Sequence, residues 1–209
     1  MRRALILTFL AWAVALSARS TPAVPRTQVE GQAADPAGPQ YTADERLVRP
    51  ADYREWVYVT SGVGMTYGPA QSTSSGGNFD NVFVNRSSYR QFMNTGKWPD
   101  KTMFILEVRS AEEHVSINNG GRTQGPLLAI EAEVKDRARF PGGWAYFTFG
   151  GEPNLAATAA SLPATASCYS CHKANTAVEQ TFVQFYPTLM QVARRKGTVR
   201  ADYDPARKP

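Results

Sequence analysis

Both cysteines of this 209-residue chain fall in one five-residue run, Cys168-Tyr169-Ser170-Cys171-His172, and His172 is one of only two histidines. C-x-x-C-H is the pattern of covalent haem attachment. At the start of a helix, two thiols three residues apart face the same way and can form thioethers with the two vinyl groups of one haem. The next residue then presents its imidazole to the iron. Three other chemistries use parts of the run. A C-x-x-C redox pair calls for a thioredoxin-like βαβ pattern, which this sequence lacks. A zinc site needs a fourth ligand, and His114 is the only other histidine. A disulfide between residues three apart would leave His172 without a role. One covalently attached haem c, held by Cys168 and Cys171 with His172 as proximal iron ligand, uses all three residues.

What such an iron does depends on its sixth position. An electron-carrier cytochrome adds an axial Met or His. The candidates are His114, Met65, Met93, Met103 and Met190. His114 sits in a polar stretch, Glu112-Glu113-His114, and reads as a solvated loop histidine. Met93 and Met190 occupy core positions of helical patterns. Met65, in Gly64-Met65-Thr66, is the loop methionine with freedom to reach a metal. The balance favours an open, five-coordinate site that takes small diatomic or nitrogenous molecules.

The elements that must position these residues follow from patterning. Strands are expected over 56–59, 81–85, 102–108, 127–135 and 144–149, the last aromatic on both faces. Alternation puts Phe104, Leu106 and Val108 on one face of the third strand, and Met103, Ile105 and Glu107 on the other. Residues 87–94 place Tyr89, Phe92 and Met93 at helical spacing, with Ser87 as candidate cap and Gly96 as stop. A flexible loop is read over 68–78 and an Ala-rich connector over 155–167. A final helix spans 168–196, kinked or divided at Pro187. Strands and helices segregated along the chain point to an α+β fold with an antiparallel sheet.

Composition sets the wider limits. With 43% hydrophobic and 20% charged residues, a collagen-like, coiled-coil or polytopic membrane protein is excluded. The net charge of +5 comes without a Lys/Arg block, so nucleic acid is not an expected partner. Met1-Arg2-Arg3 and the apolar run 4–16 form a secretory signal peptide, too short to span a bilayer. Residues 1–18 are the expected signal, which implies export, with no membrane association after cleavage. Residues 19–45 read as a Pro/Ala-rich flexible leader whose end packs on the domain, 46–198 as the haem domain, and 199–209 as a polar tail.

Several segments together resemble the cytochrome P-460 / cytochrome c′-β family. They are Tyr53-Arg54-Glu55-Trp56, the run Phe79 to Asn85 (FDNVFVN), Thr95 to Thr102 (TGKWPDKT), the aromatic run Gly143 to Gly150, the C-x-x-C-H motif with Lys173-Ala174-Asn175, and Phe182-Val183-Gln184-Phe185-Tyr186-Pro187. The likeness spans about residues 50–193 in the family's order. It implies a mainly antiparallel β fold with flanking helices, a homodimer and five-coordinate haem, with a periplasmic redox partner as a further possibility. The family divides between hydroxylamine oxidation by a haem cross-linked to a lysine, and nitric oxide binding in an apolar pocket without that bond. The resemblance places the cross-linking lysine just before a glutamate that matches Glu107, so its counterpart here is Leu106. Lys97 and Lys101, close by, remain alternative donors, and Lys101 replaces the family's usual glycine. No Asp or Glu lies between Glu152 and Cys171 to act as a distal base. A distal wall of Phe104, Leu106 and Phe83 (or Phe79) would favour a neutral ligand such as nitric oxide.

Overall fold

Alternating β-branched and aromatic residues build five strands, of which Met103–Glu112 and Trp144–Gly150 bury residues on both faces. The computed structural model describes residues 38–66 and 77–206, all within one unit, Ala33–Pro209. The expected signal peptide, most of the leader and of the 68–78 loop, and residues 207–209 lie outside the described residues. In chain order the strands are β1 (Leu47–Val48), β2 (Val57–Val63), β3 (Asn78–Val84), β4 (Met103–Glu112), β5 (Thr123–Lys135), β6 (Trp144–Gly150) and β7 (Thr158–Ala159). The helices are α1 (Arg86–Thr95), α2 (Ser167–Asn175) and α3 (Pro187–Lys196). Strands β2 to β6 form one antiparallel meander in sequence order, and β1 pairs with β7 in a two-stranded sheet. The architecture is α+β, as the strand and helix patterns imply.

The sheet separates two cores. Its front face carries Val57, Val59, Val82, Val84, Phe104 and Trp144, packed against Phe92 of α1 and Leu189 and Val192 of α3. Its back face carries Met103, Ile105, Ile130, Val134, Phe147 and Phe149, with Tyr53. The β4 alternation is the expected one, because strand side chains point to opposite faces in turn.

Three local expectations are corrected. Ser87 does not cap α1: the cap position is Asn85, whose buried side chain instead accepts the Met103 N–H at 2.9 Å and ties the helix start to β4. Gly96 does end that helix, at φ 71°, its N–H bonded to the Phe92 carbonyl at 2.7 Å. The segment 155–167 is not purely a connector, since β7 lies in it. Nor is 168–196 one divided helix. α2 stops at Asn175 because side chains take its terminal carbonyls: Thr176 the His172 oxygen at 2.6 Å, Arg200 that of Lys173 at 2.7 Å, Gln184 that of Asn175 at 2.8 Å. An irregular stretch with a 3₁₀ turn at Val183–Phe185 follows, and Pro187 opens α3 in its first turn, where its missing N–H costs nothing. Residues beyond 198 also join the fold, for Val199 and Tyr203 pack against the front core.

Trp98 is the keystone of that core. It is 2% exposed, stacks on Phe92 at 4.0 Å, meets Phe104 edge-on at 4.8 Å and donates its indole N–H to Thr181 at 2.8 Å. Trp98→Ala should destabilise the fold by about 3–5 kcal/mol, read as a shift in the denaturation midpoint. A loss of under about 1 kcal/mol would show that the core closes over the gap.

Candidate functional site

α2 carries Cys168, Cys171 and His172 across the front of the sheet at its β5–β6 edge. The two cysteines are free thiols and partly exposed, so no disulfide joins them. Among the described residues, no three His, Cys, Asp or Glu side chains converge as a bare metal site requires. His172 is oriented from behind. Its Nδ1 lies 2.7 Å from the Gln180 carbonyl oxygen and 3.4 Å from Glu133 Oε1. A protonated Nδ1 donates to Gln180, which leaves the Nε2 lone pair as the outward ligand atom. The ring is held between Tyr146, at 4.5 Å, and Phe182, at 4.6 Å.

β5 and β6 supply this backing through their register: Glu133 pairs with Tyr146, and Glu131 with Thr148. The Tyr146 hydroxyl stands 3.4 Å from both Glu133 Oε1 and Gln180 Oε1. Burial by itself lowers the pKa of His172, but Glu133, the Gln180 carbonyl and Glu131 outweigh it and raise the pKa above the usual histidine value. Burial likewise pushes the Glu133 carboxyl up, against the pull of His172 and Tyr146.

The surroundings fit a large covalently held apolar group. α2 buries none of its own residues, unusual for a helix lying on a sheet. Beside it the front face leaves Val82, Leu106 and Val108 only half-buried, with Glu131 exposed. Two thiols, one oriented imidazole and uncovered apolar surface are what a haem c requires.

The remaining candidates scatter. Of the expected distal wall, Leu106 lies on this half-covered front surface, between Val82 and Glu131. Phe104 shares its face but is sealed into the core, 4% exposed, between Trp98 and Tyr186. Phe83 lies on the back face against Tyr53 and Tyr58, at 5.5 and 5.7 Å, and Phe79 shares its parity on β3, so neither joins Leu106. Glu107 is also on the back. Burial pushes its carboxyl up, but Arg109, Tyr53 and Arg54 outweigh that and hold it below the usual carboxylate range.

Lys101 adopts φ 68°, the left-handed conformation suited to the glycine it replaces, and its ammonium is 2.6 Å from the buried Asp136 carboxylate. Lys97 is exposed and lines a cavity together with Gln180, the residue whose carbonyl meets His172 Nδ1. His114 is solvent-exposed in the β4–β5 turn. Met103 and Met190 are core residues, and Met93 packs against the front core. Met65 folds its thioether onto Gly62, where any Cβ would collide with it, beside Asp80.

Sequence reasoning missed the carboxylates. Asp80, Glu131 and Glu133 share the front face with His172, although the stretch 153–170 holds none. The signal was present, since Ile130-Glu131-Ala132-Glu133-Val134 alternates, but that α2 crosses its polar face is not local information. Burial, and then the charge of Glu131, push the Asp80 carboxyl up from 3.8 to about 6. An acid with a raised folded pKa stays protonated after its unfolded counterpart has ionised, so its contribution to stability falls as pH rises from about 4 to about 6. Thermal melts of the wild type and Asp80→Asn should therefore diverge across that interval, with the variant gaining, and hold a constant difference above about pH 7. Parallel curves throughout would show that Asp80 titrates normally.

A family model described as Cytochrome P460 matches residues 50–183, more than half of the chain. No curated protein matches it.

Proposed function

The chain belongs to the cytochrome P460 family, and from that premise we propose that it is an exported c-type haem protein with an open sixth position for nitric oxide or a related small nitrogen ligand. The observation that carries this reading is His172, with Nδ1 held by the Gln180 carbonyl at 2.7 Å and both thiols of the chain on the same helix. When bound, haem supplies an iron centre able to take such a ligand. In this reading Cys168 and Cys171 anchor the group, and His172 presents Nε2 to it. Glu133 and Gln180 keep the proton on Nδ1, which makes the imidazole a stronger donor.

The absence of a cross-link is supported by where the lysines sit. Leu106 occupies the front position of β4 that the resemblance matches to the cross-linking residue, and no lysine lies on that strand. Lys101 is committed to Asp136, and Lys97 lines a cavity whose wall does not include His172. Half-buried Val82, Leu106 and Val108 offer no hydrogen bond to a charged ligand, which favours a neutral one. The homodimer, the redox partner and the periplasmic location belong to the proposal too, the last resting on residues 1–18.

One observation favours a second reading, hydroxylamine oxidation. Asp80 and Glu131 are front-face carboxylates able to accept protons, with Asp80 poised near 6.

Optical spectra of the ferric and ferrous protein, with and without nitric oxide, test the first reading, together with mass spectrometry of the haem-bearing tryptic peptide. A five-coordinate ferrous spectrum changed by nitric oxide, and haem on the 168–172 peptide alone, are expected. A peptide bridging residue 97 or 101 to the haem would overturn it in favour of the cross-linked enzyme. A low-spin ferrous spectrum unmoved by nitric oxide or carbon monoxide would instead identify an electron carrier with Met65 or His114 as sixth ligand.

A further inference from the structure

A second concave site lies behind the imidazole. A cavity of about 610 Å³ is walled by Lys97, Lys135, Arg137, Trp144, Glu179 and Arg200. Four cations thus face one carboxylate, and that carboxylate is already taken, because Glu179 pairs with the buried Lys135 ammonium. Arg200 is engaged as well, by Asp202 at 2.6 Å and the Lys173 carbonyl at 2.7 Å. Lys97 and Arg137 differ. Both are exposed, and among the described residues neither side-chain cation has a hydrogen-bond or ion-pair partner. Asp100 is near the rim but accepts only the Arg137 backbone N–H, at 2.9 Å.

We propose that this cavity binds a small organic anion, a phosphate or carboxylate group on a larger organic body, with Lys97 and Arg137 clamping the anionic oxygens. The charge balance selects the anion, since two unneutralised cations beside a satisfied ion pair attract a charge that nothing else in the wall supplies. Size selects the organic body: the volume falls in the range of small-molecule sites, roughly 300–1,000 Å³, more than an inorganic oxyanion fills. Trp144 and Val178 are only 5% and 1% exposed, so what that body meets is mainly backbone and polar side chains. Gly142 and Gly143 contribute backbone rather than side chains to the lining. Gln180 lines the same cavity, and its carbonyl holds His172, so an occupant touches the segment that orients the imidazole.

Isothermal titration of the haem-loaded full chain with phenyl phosphate and with inorganic phosphate tests the site. One mole of phenyl phosphate should bind per chain, more tightly than inorganic phosphate by about tenfold or more. K97Q and R137Q should each weaken phenyl phosphate about tenfold, as loss of a charge-assisted hydrogen bond does. Both side chains are exposed and unpaired, so the variants should keep the wild-type circular dichroism spectrum. R90Q, an exposed arginine of α1 that does not line the cavity, should leave the affinity unchanged. The proposal is overturned by no phenyl phosphate binding, by equal affinity for the two anions, by unchanged affinity in K97Q and R137Q, or by an equal loss in R90Q.

Discussion

The Nδ1···O=C hydrogen bond from His172 to Gln180 is the contact on which the site depends, and a surprising share of the structure serves to hold that carbonyl still. Residues 176–182 have no regular helix or strand ladder to fix them beyond a single bridge between Val178 and Thr181. Side chains from distant elements do so instead. Trp98 donates its indole to Thr181 and its backbone N–H to Glu179. Lys135, 2% exposed at the end of β5, places its ammonium on the Glu179 carboxylate and the Trp98 carbonyl. A buried ion pair of this kind adds little net stability, but loss of either partner would strand a charge, so it specifies one arrangement of the segment. Gln184 closes the stretch on itself through Ala177 and Asn175.

The antiparallel meander assigns chemistry to its two faces. Behind it, Glu107 is paired with Arg54 and Arg109 and accepts from the Tyr53 hydroxyl, a network that leaves no free carboxylate for a ligand. In front, Glu133 backs the imidazole while, among the described residues, no cation pairs with Asp80 or Glu131. Acidity is thus retained on the face that His172 shares and cancelled on the other. Because strand neighbours alternate sides, Leu106 and Glu107 are adjacent in the chain yet serve unrelated surroundings.

Much of this was legible in the chain. Cys168, Cys171 and His172 are consecutive enough that helical geometry alone makes them one unit, and the alternation of residues 103–108 assigned β4's two faces correctly. Gly96 was readable as a stop because only a residue tolerant of positive φ ends a helix that way. Phe83 was not, since its face depends on the register of β3 against β4, set by pairing between segments some twenty residues apart. Phe104 faced the right way but its burial depends on Trp98 and Tyr186, which come from other elements. The two-residue strands β1 and β7 carry too little pattern to be seen before they meet.

The sequence by itself pointed to the cofactor, because the thiols and the imidazole are local, and a single turn of helix is enough to juxtapose them. It also determined the family and the antiparallel α+β class, whose strand periodicity is a property of short windows. The tertiary structure decided what stands behind and beside the imidazole: Gln180 rather than solvent on Nδ1, three carboxylates on its face, and Lys101 paired with Asp136 instead. Those outcomes hinge on which strand faces α2 crosses and on where α2 ends. Such choices are made by long-range pairing and by side chains such as Thr176 and Arg200 that take a helix's last carbonyls, which no local window contains.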